Sequence, residues 1–301
     1  AVLVSAAPNV LIQIEPEIAQ WIPRLQAHAS MALLLACSFL VIHMLGVIDD
    51  RVNLGVAVKL IIQFFVAFIL VVGADIRLMS YLDTLSPLGA LPSVVLSIGW
   101  IMVVMNAMNF LDNMDGLTAG TCVVASTALL ITALNSNQWF VGGVLAILLG
   151  VTAGFLVFNL HPARIFLGDG GSLVIGLALA VLTIRTTYWE PDVAPVGGWY
   201  GLLMPVAVLA IPLYDFFSVT LIRLRQGKSP FEGDLQHFSH RLVARGLSVP
   251  GAMAVICGLS VVTATAGVLL PLLAPWAAFL AVVQVMVVLA VVAILETGGR
   301  A

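Results

Sequence analysis

Residues 91–135 read LPSVVLSIGWIMVVMNAMNFLDNMDGLTAGTCVVASTALLITALN. Two runs of about 20 mostly apolar residues stand there, each long enough to cross a bilayer as a helix. Only FLDNMDG, with two acids and a glycine, separates them. The runs are apolar nearly all round rather than on one face, with Gly, Ala and Ser scattered through them, as close helix–helix packing in lipid requires. The pattern continues in both directions, and the spacing predicts nine spans: 30–48, 56–73, 91–108, 117–134, 140–159, 170–187, 201–222, 250–271 and 275–295. The last two meet at a turn around Pro271 and Pro275. The opening run from Ala1 to Ile14 has no signal-peptide pattern and is too short for a span, so it is expected to be the end of one. The expected fold is therefore an all-α polytopic integral membrane protein, one membrane domain over residues 1–301, without a 20–50-residue repeat.

Composition agrees. The 301 residues are 61% hydrophobic and 9% charged, with a mean hydropathy of +1.14. A water-soluble domain could not bury that much apolar surface. A net charge of −3, with no basic tract, argues against nucleic acid as a partner. Cys37, Cys122 and Cys257 lie far apart inside apolar runs and read as packing residues rather than a disulfide or a zinc site.

Lysine and arginine set the orientation. Alternation of the spans puts Arg51, Lys59, Arg164, Arg223, Arg225, Lys228, Arg241, Arg245 and Arg300 near one face, and Arg24, Arg77 and Arg185 near the other. The richer face is expected to be cytoplasmic, with residues 223–250 forming a cytoplasmic loop. In a bacterium-like cell this is the inner (plasma) membrane.

The unusual acids share that face. They are Asp49 and Asp50 closing the first span, Asp112 and Asp115 in NAMNFLDNMDGL, Asp169 in FLGDGGS, and Asp215 in the seventh span; Asp234 lies in the following loop. A carboxylate within a span costs about 2.5–3.5 kcal/mol on insertion scales, and less at a helix end. Acids at several helix ends converge if the helices bundle, and they repel unless a cation compensates. Oxygen donors with a nearby Asn favour Mg²⁺ or Mn²⁺ over zinc.

Each element has a plainer reading beside the functional one. Asp49-Asp50 before Arg51 could be a solvated helix end. Asn106, Asn109, Asp112 and Asp115 fall on one stripe if the helix continues, and buried amides and acids on a stripe need partners. Gly168-Asp169-Gly170-Gly171-Ser172 opens a span and could present free N–H groups to a phosphate, or could be a capped tight turn. Lys59 could snorkel to the interface. His237, His240 and Arg241 could simply populate a basic loop.

Taken in order, GVIDDR with Lys59 and Gln63 downstream, NAMNFLDNMDGLTAG, FNLHPARIFLGDGGS and SPFEGDLQHFSHRL, spread over residues 46–242, resemble the polyprenyl-phosphate N-acetylhexosamine-1-phosphate transferases. The last motif is more similar to the branch using UDP-N-acetylglucosamine than to the muramoyl-pentapeptide branch. The resemblance implies transfer of a sugar phosphate from a UDP-N-acetylhexosamine to polyprenyl phosphate, undecaprenyl phosphate first among them, as the first membrane step of cell-envelope polysaccharide synthesis. It implies Asp169 as a Mg²⁺ ligand with Asn109 as a second, Asp49 and Asp50 as the catalytic acid pair, and Lys59 holding phosphate charge. Asn106, Asp112 and Asp115 would serve the nucleotide end, with Phe166 stacking on uracil and Asn159 nearby. His237, His240 and Arg241 would bind the sugar or diphosphate, and a homodimer is an expected assembly.

Three departures stand out. The family loop usually reads H-x-H-H-R-L, whereas Ser239 occupies the middle His position; Asn113 replaces the usual Gly after Asp112; and the family's N-terminal span and Gly-rich loop are absent. Pro205 and Pro212 predict a kink in the seventh span that could open a groove for the lipid tail. Two other classes stay open at this point: a cation-coupled transporter, which also places acids in an apolar bundle, and a non-catalytic relative acting as an assembly partner.

Overall fold

The computed structural model describes residues 29–80, 82–187, 203–231 and 236–297. Ala1–Ile14, Arg24, Asp234 and Arg300 lie outside the described residues, as does part of the 223–250 loop. Every regular element among the described residues is helical. In chain order they are α1 (Ala29–Val52), α2 (Val56–Phe68, continued by a π-helical turn Ile69–Gly73), α3 (Leu82–Leu85), α4 (Leu91–Leu111), α5 (Leu117–Asn135), α6 (Trp139–Asn159), α7 (Gly168–Thr186), α8 (Met204–Val208), α9 (Ala210–Arg225), α10 (Phe238–Ala244), α11 (Val249–Leu269, with a 3₁₀ turn Leu270–Leu272) and α12 (Pro275–Thr297).

Among the described residues eight helices are long and apolar enough to cross a membrane: α1, α2 with its π turn, α4, α5, α6, α7, α11 with its 3₁₀ turn, and α12. The seventh expected span is the difference. It is broken into α8 and α9 at Leu209, whose φ of −100° and ψ of 18° leave the helical region. Pro212 lacks the N–H that would bond the carbonyl four residues back, and its ring crowds that carbonyl, so the helix gives way there. The break is the kink that the two prolines predict.

α7 is the most buried of the eight spans and α12 the least. α7 packs against α1, α4 and α5, and lies at the centre of the bundle. Small residues allow this: a Cβ built on Gly176 would stand 2.6 Å from the Met105 Cα of α4. Polar side chains of α4 and α7 bond across their contact, as Trp100 Nε1 donating to Thr183 Oγ1 at 3.0 Å illustrates. Lipid-facing surfaces of α2, α6 and α12 expose Phe65, Ile147 and Ile294 among others. Chain alternation brings the ends of α1, α4, α6, α9 and α12 and the starts of α2, α5, α7 and α11 to one face of the bundle.

Candidate active site

Two glycines set the site's geometry. α1 and α7 cross at Gly46 and Gly170, where a Cβ on Gly46 would sit 2.3 Å from the Gly170 backbone nitrogen. The helices therefore touch backbone to backbone, a contact only glycine permits. One turn earlier His43 Nδ1 meets the Gly170 carbonyl at 3.0 Å. The crossing lays the last turn of α1, with Asp49 and Asp50, beside the first turn of α7, with Asp169. Gly168 has a φ of +63°, and a Cβ there would lie 2.6 Å from Asp50 Oδ2. Asp169 N donates to Asp50 Oδ1 at 3.1 Å, so the anion on this helix N-terminus is the Asp50 carboxylate itself.

Lys59, in the first turn of α2, reaches into the same place. Its Nζ donates to Asp49 Oδ2 at 2.8 Å and to Asp169 Oδ2 at 3.4 Å. It does not merely snorkel. Asn109, in the last turn of α4, donates through Nδ2 to Asp169 Oδ1 at 2.8 Å and to Ser172 Oγ at 2.9 Å. Asn106, one turn before, donates to Gln63 Oε1 and to the Met102 carbonyl, both at 2.7 Å. Lys59, Gln63, Asn106, Asn109, Phe110, Asp169 and Phe231 line a half-open cleft of about 400 Å³. Asp49, Asp50, Lys59, Asn106, Asn109 and Asp169 are thus brought together.

The stripe through Asp112 and Asp115 does not continue as helix. α4 ends at Leu111, and Asp112 adopts φ −78° and ψ 50°. Gly116 starts α5 at φ +75°, a left-handed conformation that other residues adopt only under strain, and a Cβ there would also push the Met253 Sδ, 2.7 Å away, aside. Asp115 instead accepts from His161 Nδ1 at 2.8 Å and from Ala163 N at 3.1 Å. Asn159 accepts from Gly116 N at 3.0 Å and donates to the Ile165 carbonyl at 2.8 Å. Asp115 and Asn159 therefore fix the 160–167 loop against the α4–α5 turn, and Phe166 stands on that loop with 76% of its surface exposed. Burial pushes the Asp112 carboxyl up to about 6, and the negative charges of Asp169 and Asp50 add to the effect.

The remaining sequence candidates sit on or beside α10. His237 bonds through Nδ1 to Asp215 Oδ2 at 2.9 Å, while Arg223 Nη2 reaches its Nε2 at 3.3 Å. Phe238 N donates to Asp215 Oδ1 at 2.6 Å. Asp215 is fully buried and Arg223 nearly so. The Arg223 guanidinium lies 5.2 Å from the centre of the Phe110 ring, against which His237 packs edge-on at 5.7 Å. This joins the α10 region to the cleft through Phe110. Arg241 turns elsewhere: its Nη2 donates to Glu296 Oε1 at 2.9 Å and to Ser218 Oγ at 3.0 Å. Burial, together with the neighbouring His237, holds the His240 imidazole below its ordinary value. Sequence reasoning did not select Arg223, Ser172, His43 or Glu296. Glu296 carried a signal, as the acid that directly follows the apolar run 275–295.

The donor set suits a hard cation. Asp49 Oδ1 is buried without a hydrogen-bond partner, and the Asp169 carboxylate and the Asn109 amide stand nearby. Among the described residues no group of three or more His, Cys, Asp or Glu forms a ready-made metal cage. One or two carboxylates completed by water and substrate phosphate is how Mg²⁺ is ordinarily held, so the residues fit that ion and not a closed zinc site. The α8–α9 break also borders a largely apolar groove of about 1590 Å³ between α9 and α12, with Tyr214, Ser218, Arg225 and Glu296 among its polar lining.

Fold and site together define a polytopic membrane protein with a charged, oxygen-rich cleft at one end of its bundle. The chain belongs to glycosyl transferase family 4, whose model matches residues 31–187, more than half of its length. It is 33% identical to a probable undecaprenyl-phosphate N-acetylglucosaminyl 1-phosphate transferase of Bacillus subtilis (strain 168), over 69% of this chain and 57% of the relative. It is 32% identical to a decaprenyl-phosphate N-acetylglucosaminephosphotransferase of Mycobacterium leprae (69% and 56%). It is also 29% identical to an undecaprenyl-phosphate alpha-N-acetylglucosaminyl 1-phosphate transferase of Escherichia coli (strain K12), over 80% and 65%. The chain thus spans between half and two thirds of the length of these relatives.

Proposed function

We propose that this protein transfers N-acetylhexosamine 1-phosphate, with N-acetylglucosamine as the first choice of sugar, from a UDP-sugar to polyprenyl phosphate. The products are polyprenyl-diphosphate-sugar and UMP. The observation that carries this reading is Lys59 held between Asp49 and Asp169, beside Asn109, in a cleft at the end of a lipid-embedded bundle. The family and the names of the relatives support the same reaction class. The transporter alternative has no such support, because these acids sit at helix ends rather than on broken helices at mid-membrane.

A phosphate oxygen of the acceptor attacks the β-phosphorus of the donor, and the bond to the bridging oxygen breaks, that oxygen leaving with UMP. Two anions must approach, so positioning and fixed charge dominate. Lys59 supplies a positive charge where the acceptor phosphate arrives. The unpartnered Oδ1 of Asp49 is suited to take a proton from that phosphate. Asp50 keeps the start of α7 in register through the Asp169 amide. The transfer is read as direct displacement rather than through an aspartyl-phosphate, with Asp49 as base and Asp50 as a holder of α7. Asp169 and Asn109 would hold Mg²⁺, which neutralises diphosphate charge when bound. Asp112, Asp115 and Asn159 shape the nucleotide end, and the exposed Phe166 ring offers a face to uracil. The acceptor's tail stays in the bilayer. The charged face is cytoplasmic by its excess of Lys and Arg, in the plasma membrane.

The test is UMP release by the purified protein in detergent or nanodiscs. Release that requires both a divalent cation and polyprenyl phosphate supports the reading, with a panel of UDP-sugars naming the donor. No release from folded protein under those conditions overturns it in favour of an assembly role. Folded Asp169→Asn protein turning over at the wild-type rate overturns the metal assignment alone.

A further inference from the structure

The two in-sequence departures from the family pattern, Asn113 and Ser239, are 126 residues apart in the chain, yet they touch. Ser239 Oγ donates to Asn113 Oδ1, and Asn113 Nδ2 donates to the Phe110 carbonyl at 2.6 Å. The serine is 1% exposed, so its hydroxyl depends on this acceptor. Asn113 lies in the turn that carries Asp112 and Asp115, and Ser239 lies on α10 between His237 and His240. The contact therefore ties the α10 helix to the nucleotide-side turn.

The substitutions are complementary in size. Where the resemblance expects a large imidazole facing a glycine, this chain has a small hydroxyl facing an amide. Restoring His at 239 alone drives a ring into the Asn113 amide. Restoring Gly at 113 alone opens a void and leaves a buried hydroxyl without an acceptor. We propose that Asn113 and Ser239 are a mutually dependent pair of positioning residues, which replaces the missing histidine and docks α10 on the Asp112–Gly116 turn. The pair acts on donor binding through the turn and the helix it joins, not by touching the reacting phosphates.

The kinetic arm rests on the transferase reading above; the cross-linking arm does not. Four proteins are compared: wild type, Asn113→Gly, Ser239→His and the double substitution. Each single change is expected to raise KM for the UDP-sugar about tenfold with kcat within about threefold, and the double change to return KM to within about threefold of wild type. Single effects that multiply in the double variant would overturn the pairing, as would singles that lower kcat and leave KM unmoved. Should Ser239→His fail to fold, Ser239→Ala replaces it in the cycle, and its effect is expected to vanish in the Asn113→Gly background. Independently, an Asn113→Cys/Ser239→Cys protein under mild oxidation should give a linked pair of peptides by mass spectrometry. Folded protein without that link would refute the contact whether or not the chain has transferase activity.

Discussion

Each face of the bundle carries one basic side chain flanked by two acids, and the two trios behave differently. At one face Lys59 joins Asp49 and Asp169, partners 10 and 110 residues away that arrive on separate helices. At the other, Arg77 joins Asp75 at 2.6 Å and Asp83 at 2.5 Å, partners 2 and 6 residues away in one loop. The Arg77 guanidinium is held above its ordinary value by its hydrogen bond to Asp75 and, against burial, by the charge of both acids. It braces a turn in which Asp75 and Met79 both have positive φ. The Lys59 trio borders a cleft, has an unpartnered carboxylate oxygen, and exists only when three spans are assembled. Local ion trios stabilise loops, whereas trios assembled from distant helix ends make sites.

That contrast can be broken most directly at Asp169 and Lys59. Asp169→Asn and Lys59→Ala should each reduce UMP release by about 1,000-fold or more in protein that still elutes as a folded species. Lys59→Arg should lose about 10- to 100-fold, because a planar fork cannot take the place of a point charge between two carboxylates. If arginine works as well as lysine, the trio is a brace like its counterpart.

The pH dependence is smaller and has a definite sign. The folded-state Asp112 carboxyl titrates at about 6 against an ordinary 3.8, so the folded protein holds that proton more tightly than the unfolded chain between those values. Stability therefore falls as pH rises from about 4 to about 6 and levels off above, by roughly 1–3 kcal/mol. Asp112→Asn should flatten that limb of the melting temperature against pH. An unchanged slope would remove Asp112 as its cause. The smallest effect belongs to the opposite face, where Arg77→Ala should cost about 1 kcal/mol of stability and leave kcat and KM within about twofold. A large loss of turnover there would erase the distinction between the two trios.

Hydropathy alone made the spans legible, since a bilayer demands a continuous apolar run and forbids unpaired backbone within it. Pro205 and Pro212, not hydropathy, located the break in the seventh span, because proline acts through its own missing N–H. The convergence of Asp49, Asp50, Lys59, Asn109 and Asp169 was readable from their common face. Two features were not. That α4 stops at Leu111 depends on the turn dihedrals around Asp112 and Gly116, so helical spacing misplaced Asp115, which looks to His161 instead. Nor does any local pattern reveal that Arg241 is committed to Glu296, 55 residues away. Long-range pairing of this kind is set by how whole helices lean, which the one-dimensional pattern of apolar residues does not encode.

The Gly46–Gly170 crossing has a consequence for biogenesis. The Asp50 carboxylate and the Asp169 amide it accepts from are separated by 119 residues, so α1 enters the membrane well before α7 is made. Until α7 arrives, Asp49 has only Lys59 of α2 beside it, and Asp50 has no helix N-terminus to accept from. The bare-backbone contact then lets α7 close on α1 like a slide in its track, and that docking adds Asp169 to the Asp49–Lys59 pair and gives Asp50 its amide donor. A methyl group at Gly46 would stop that closure short and leave an inserted protein with every span present and no cleft assembled.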